Sequence, residues 1–153
     1  MDERKGMNKM KKAIVIYETT YGYTETMAKA IEKGLKEAGV EVELKKVMAV
    51  NSDELKDFDA VVLGCPTYHH DMITTVKTFL FKMRNAGLKG KVGAAFGAYG
   101  FSGESVEMIY DTMKHIFEMD VVEPAFKLKS TEVVTIGEKE CKEFGQKIAA
   151  KII

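Results

Sequence analysis

The 153-residue sequence is short of most features that would place it outside ordinary globular proteins. It carries no net charge, with 23 Lys and Arg against 23 Asp and Glu. It therefore lacks the basic excess by which a protein takes nucleic acid or an anionic membrane as its main partner. No apolar run is long enough to span a membrane, and the run that follows the charged residues 1–12 is too short for a signal sequence. There are only two cysteines, Cys65 and Cys141, far apart and set in apolar patterns. That excludes a disulfide framework and fits two buried, reduced thiols in a cytoplasmic protein. No repeat or low-complexity tract is present. No Gly-Lys-Ser/Thr follows a Gly-rich loop, which excludes a P-loop nucleotidase. No Asp ends the third strand-like run (Gly64-Cys65-Pro66), where a phosphate-accepting signalling receiver needs one.

What is present is an alternation of short strand-like runs with longer helical ones. A chain of this length is expected to form one domain, burying roughly 70% of its unfolded surface without a covalent staple. Residues 12–153 read as that domain. Residues 1–11 read as a loose tail, with Met7 and Met10 as alternative starts. Strands are predicted over 13–17, 40–47, 58–64, 91–98 and 121–128. Helices are predicted over 23–38 (closed by Gly39), 51–56, 72–86, 103–118 and 138–152. The run Ala60-Val61-Val62-Leu63 is continuously apolar, as in a strand covered on both faces. The segment 40–47 alternates apolar and charged residues, as at a sheet edge.

Five strands separated by helix-length crossovers imply an α/β protein, a doubly wound, three-layer sandwich. Its five-stranded parallel sheet in the order 2-1-3-4-5 has helices on both faces. Ligands of such sheets bind outside the carboxyl ends of the strands, where the order reverses. Three loops face that crevice. The first is Thr19-Thr20-Tyr21-Gly22-Tyr23-Thr24, between the first strand and first helix. Its hydroxyls, its glycine and the free amides of a helix start suit a phosphate. Threonine and glycine also suit ordinary turns, but the place directly after strand one favours the phosphate. With no Lys or Arg in the loop, neutral donors would hold it, which fits a resident cofactor better than a phosphoryl substrate.

The second loop, Pro66-Thr67-Tyr68-His69-His70-Asp71, and the third, Gly97-Ala98-Tyr99-Gly100-Phe101-Ser102-Gly103, each follow a buried strand and carry aromatics beside small residues. Tyr68, Tyr99 and Phe101 gathered at one sheet edge suggest walls for a flat ring. The expected ligand is thus nucleotide-like. The glycines of the third loop do not have the dinucleotide spacing and read as turn and close-approach residues. His69, His70 and Asp71 lack the further ligands a metal site needs. A histidine there would instead make the bound ligand's surroundings sensitive to pH. Cys65 reads as a small packing residue, and the methionines mostly as core filling.

These three segments together resemble the flavodoxin family, and most closely the flavodoxin domain of flavodiiron (A-type flavo-) proteins, here as a stand-alone domain. The resemblance runs from Lys12 to the end. It implies one non-covalently bound FMN, with residues 19–24 on the phosphate, 66–71 along one side of the flavin and 97–103 along the other. It implies an FMN-binding electron carrier that shuttles electrons between redox partner proteins, possible ones being a flavodiiron-type or an iron–sulfur protein. The chain itself would be a monomer or homodimer. The alternative on the same fold is an FMN-dependent NAD(P)H:quinone-type reductase; a third reading is a cofactor-free interaction domain. The chain is too short to include a diiron domain and has no His-x-Glu-x-Asp motif. Two departures from the family pattern set expectations. His69 stands where many flavodoxins have Gly, which predicts weaker stabilisation of the half-reduced flavin. Phe101 stands where flavodiiron relatives usually have Trp, which alters the stacking. The neutral net charge also departs from the acidic surface usual in flavodoxins, which makes docking to basic partners less secure.

Overall fold

Alternate residues of the first strand face two separate cores, and this explains its apolar composition. The computed structural model describes residues 10–68 and 70–153, with the backbone alone of Tyr68. Residues 1–9 of the expected tail, and His69, lie outside the described residues. In strand β1 (Lys12–Tyr17), Ala13, Val15 and Tyr17 join one buried cluster, and Ile14 and Ile16 join the other. Side chains alternate along a strand, so a strand covered on both faces must be apolar throughout. β3 (Ala60–Gly64) and β6 (Val92–Tyr99) repeat this pattern. Each fully buried Ile or Val contributes about 1.5–3 kcal/mol through removal from water. β2 (Glu41–Lys46) is only half-buried, as its alternation predicts.

The sheet order is β2-β1-β3-β6-β7, all parallel. β7 (Asp120–Val121) and β8 (Phe126–Lys129) both pair with the free edge of β6. They replace the single strand expected over 121–128, and the predicted order 2-1-3-4-5 is otherwise retained. Pro124 falls in the gap between them; having no N–H, it cannot donate to the ladder.

One face carries α1 (Tyr23–Glu37) and α5 (Gly137–Ile152), with Met27, Ile31 and Leu35 packed near Phe144 and Ile148. These helices touch through glycine. A Cβ on Gly34 would lie 2.2 Å from the Lys142 carbonyl oxygen, and one on Gly145 would lie 2.4 Å from that of Ile31. The opposite face carries α2 (Thr74–Met83) and α3 (Glu104–Asp111).

Other differences from the sequence reading are local. The helix expected over 51–56 is a 3-10 helix, Ser52–Asp57, whose Asn51 side chain accepts the Asp53 N–H at 3.0 Å. The helix expected from residue 72 begins at Thr74, because Asp71–Met72 (β5) pairs antiparallel with Thr67–Tyr68 (β4) as a small hairpin. The helix expected to run to residue 118 changes to a π-helical turn at Thr112–Ile116. There the Thr112 hydroxyl donates to the Met108 carbonyl at 2.7 Å, and the Phe117 N–H reaches back five residues to the Thr112 carbonyl. A hydroxyl drawing on the i−4 carbonyl in this way disturbs the regular ladder. A short helix, α4 (Ser130–Val133), follows β8 and was not anticipated.

Candidate cofactor site

A cavity of about 270 Å³ opens at the carboxyl ends of β1, β3, β6 and β8. The first loop supplies Thr19, Thr20, Tyr21, Tyr23 and Thr24; the second, Pro66 and Thr67; the third, Ala98, Tyr99, Gly100 and Phe101. An adjoining cavity of about 330 Å³ is lined by Thr67, His70, Phe101 and Ser102. The two share Thr67 and Phe101, so they form one cleft running from the start of α1 to His70. A larger groove, about 670 Å³, lies between residues 47–52 and α2. None of the three loops reaches it, and Lys82 is its sole ionisable lining residue among those described.

The first loop is shaped by Gly22. It precedes α1 at φ +92°, a left-handed conformation that suits glycine. Its N–H donates to Thr19 Oγ1 at 3.0 Å, and its carbonyl accepts both the N–H and the hydroxyl of Thr26 at 3.0 Å. Glycine brings no side-chain oxygen to cap the helix. The amides of the first turn have no intrahelical acceptor, and the helix dipole there favours an anion. Thr24 is 1% exposed, and its Oγ1 accepts the Ala98 N–H at 3.3 Å, tying the first loop to the third. Its hydroxyl hydrogen remains free to donate into the cavity.

The second loop turns at His70, which has φ +65°. His tolerates this region better than most residues, though at some cost. His70 Nδ1 lies 2.9 Å from Glu104 Oε2 and 3.2 Å from Ser102 Oγ. Its ring meets Phe101 edge-on, with centroids 6.3 Å apart. Hydrogen bonds from Ser102 and then from His70 pull the Glu104 carboxyl down to about 2. Asp71 turns away from the cavity. It pairs with Lys77, and its Oδ1 accepts the Met72 N–H at 2.8 Å. Lys77 first, and that amide second, hold its carboxyl below the usual range. Cys65, just before the loop, is buried, and burial pushes its thiol up to about 12.

The glycines of the third loop play different parts. Gly97 does not line the cavity. A Cβ there would lie 2.1 Å from the Cys65 carbonyl oxygen, so it permits the close approach of β6 to the end of β3. Gly103 also stands outside, before α3, with Lys127 filling the space that a Cβ would need. Gly100 lines the cavity, and a Cβ there would meet nothing within 4 Å. Phe101 is 89% exposed at the rim, a large apolar ring left in water.

Of the expected site residues, Gly22, Asp71, Gly97 and Gly103 therefore support the cleft without lining it. His69 and the side chain of Tyr68 lie outside the described residues. Sequence reasoning missed Ser130, which lines the cavity and donates to the Tyr99 carbonyl at 3.3 Å. Its place directly after the last strand was an available signal, because that strand ends at the same sheet edge. It also missed buried Ser105, whose N–H donates to Thr67 Oγ1 at 3.1 Å.

The cleft thus combines an uncapped helix start, neutral hydroxyls and an exposed aromatic wall. Among the described residues no Lys or Arg lines it. This set fits a phosphate ester joined to a flat ring.

The family model described as Flavodoxin matches residues 15–145. A nitric oxide reductase of Moorella thermoacetica is 35% identical over 147 residues, covering 92% of this chain and 36% of that protein. A flavodoxin of Clostridium saccharobutylicum is 28% identical over 155 residues, covering 92% of this chain and 97% of that one. Among solved structures, a flavodoxin from the domain Archaea has a TM-score of 0.87 at 34% identity, covering 92% of this chain and 98% of that chain. The chain spans about a third of the length of the nitric oxide reductase and of two further relatives at 34% and 31% identity.

Proposed function

The chain belongs to the flavodoxin family, and we propose that it binds FMN and carries electrons between redox partners. One observation carries this reading: a single cleft at the carboxyl edge of the sheet holds both the uncapped start of α1 and the exposed ring of Phe101. FMN would supply reversible one- and two-electron chemistry there. The amides at the start of α1, with the hydroxyls of Thr19, Thr20 and Thr24, would bind the phosphate. Tyr99, Gly100 and Phe101 on one side, and Pro66, Thr67 and His70 on the other, would flank the ring and exclude water from it. Thr24 and Ser130 would hold the third loop in place through Ala98 and Tyr99.

Iron–sulfur or diiron proteins are the partners that best suit such a carrier. Its two free thiols, both buried, suit the reducing cytoplasm. No helix among the described residues is long and apolar enough to cross a membrane.

Titration with FMN and with riboflavin, read by quenching of flavin fluorescence, tests the site. The protein is expected to bind one FMN and to prefer it to riboflavin, which lacks the phosphate. Changing Thr19, Thr20 and Thr24 together to Ala should weaken FMN binding about tenfold or more, the worth of one or two lost hydrogen bonds, and should leave riboflavin binding much less affected. Failure to take up FMN, or equal affinity for the two flavins, would overturn the reading. Steady NAD(P)H oxidation with a quinone would instead make the protein a reductase.

A further inference from the structure

Residues 72–103 contain Lys77, Lys82, Arg84, Lys89 and Lys91 but no Asp or Glu. In a chain of zero net charge, this is a local concentration of positive charge. Part of it is met within the fold. Lys77 pairs with Asp71 and Lys89 with Glu118, while Lys91 donates to the carbonyls of Lys56 and Phe58. Among the described residues, Lys82 and Arg84 have no carboxylate partner. The Arg84 guanidinium lies over the Phe81 ring, 5.2 Å from its centroid.

Arg84 stands beside an apolar groove, whereas Lys82 lines the separate groove against residues 47–52. Between α2 and the π-helical turn after α3 runs a depression of about 430 Å³, lined chiefly by Met72, Leu80, Phe81 and Ile116, with Lys77 and Arg84 at its side. Phe81 is 67% and Ile116 64% exposed. No carboxylate lines the groove among the described residues. Exposed aromatic and aliphatic side chains beside an unpaired Arg are the usual makings of an interface centre. The groove and the cofactor cleft border the same hairpin. Met72 is paired across the β4–β5 hairpin with Thr67, which lines that cleft.

We propose that this groove is the docking surface for an acidic electron-transfer protein. The partner's apolar surface covers Phe81, Ile116 and Met72, and its carboxylates face Arg84, with Lys77 beside it. The proposal rests on the electron-carrier reading. In each encounter one electron passes between the partner's iron–sulfur centre and the flavin; one is oxidised, the other reduced, and no atom is transferred. A second copy of the chain fits the surface poorly. Across a two-fold axis the patch would meet its own copy, setting the side that carries Lys77 and Arg84 against the same side, like charge upon like.

The test mixes the oxidised, FMN-loaded full chain with a reduced acidic [2Fe–2S] ferredoxin in stopped flow. A parallel series mixes the reduced chain with a basic cytochrome c. The ferredoxin rate is expected to fall as salt rises. Arg84→Glu should lower it about threefold or more at low salt. The same substitution should not lower the cytochrome rate. Phe81→Ala should slow ferredoxin without changing the salt dependence, and Lys139→Glu on α5, across the sheet, should leave the rate near wild type. A ferredoxin rate unchanged in Arg84→Glu, or lowered equally by Lys139→Glu, would overturn the docking surface. So would a concentration-dependent dimer, seen by sedimentation, that Phe81→Ala abolishes. The flavin absorbance of each sample separates the two readings. Full FMN occupancy with unaffected transfer removes the groove alone, whereas a wild-type chain that takes up no FMN removes the carrier reading and the groove together.

Discussion

Thr67 Oγ1 accepts the backbone N–H of Ser105 at 3.1 Å, and the hydroxyls of the two residues lie 2.7 Å apart. Thr67 thereby caps the start of α3 from outside the helix, and Ser105 returns a bond from its hydroxyl to the Cys65 carbonyl at 3.2 Å. The second and third loops of the cleft are joined at this point, beneath the rim rather than on it. Ser105→Ala should cost about 1–3 kcal/mol of stability in urea unfolding, because buried polar groups lose partners. A double cycle with Thr67→Val should show coupling of about 1 kcal/mol. Purely additive effects would separate the loops energetically.

The Glu104 carboxyl, drawn down to about 2 by Ser102 and His70, makes a pH-dependent contribution to stability. Its folded-state value lies below the ordinary value of 4.5. The contribution is therefore complete above that ordinary value and is lost as pH falls toward about 2. Glu104→Gln should flatten the dependence of Tm on pH between 4.5 and 2 relative to wild type, as calorimetry across that range would show. Parallel curves for the two proteins would contradict this account.

Gly34 and Gly145 let α1 and α5 pack backbone to backbone. Alanine raises helix propensity by about 1 kcal/mol over glycine in an open helix. Here the added methyl would strike a carbonyl oxygen, and such overpacking costs about 1–3 kcal/mol or more. Gly145→Ala should therefore lower the urea midpoint in spite of its better propensity. FMN affinity should stay near wild type, since neither glycine lines the cleft.

Both thiols are buried, and burial pushes each up to about 12. Neither is thiolate near pH 8, so neither should react with a thiol reagent in the native protein. Mass spectrometry after iodoacetamide treatment should find both unmodified when native and both modified in urea. Rapid native labelling of Cys65 would give it a chemical role that its surroundings do not suggest.

The parts of the fold that follow from local pattern were legible in advance. β1, β3 and β6 are continuous apolar runs because both of their faces are covered. Once their order is expected to be 2-1-3-4-5, the loops after them must meet at one edge. What escaped were features with no periodic signature. Pro124 divides a strand that its neighbours would continue. The β4–β5 hairpin occupies residues that read as loop and helix start. Ser130 reaches the cleft because β8 carries it there.

The sequence by itself determined the alternation of strands and helices, the doubly wound sheet, and the gathering of Thr19, Thr67 and Phe101 at the carboxyl edge. These depend on side-chain period and crossover length, which are local properties of the chain. Tertiary structure alone decided which loop residues face the cleft and which support it, and which charges remain unpaired. Thr67 finds Ser105 across 38 residues and His70 finds Glu104 across 34. Lys77 meets a carboxylate in Asp71 while Arg84, on the same helical face of the fold, meets an aromatic ring. Such partnerships depend on strand register and on how the helices lie against the sheet, and neither is written in any single segment.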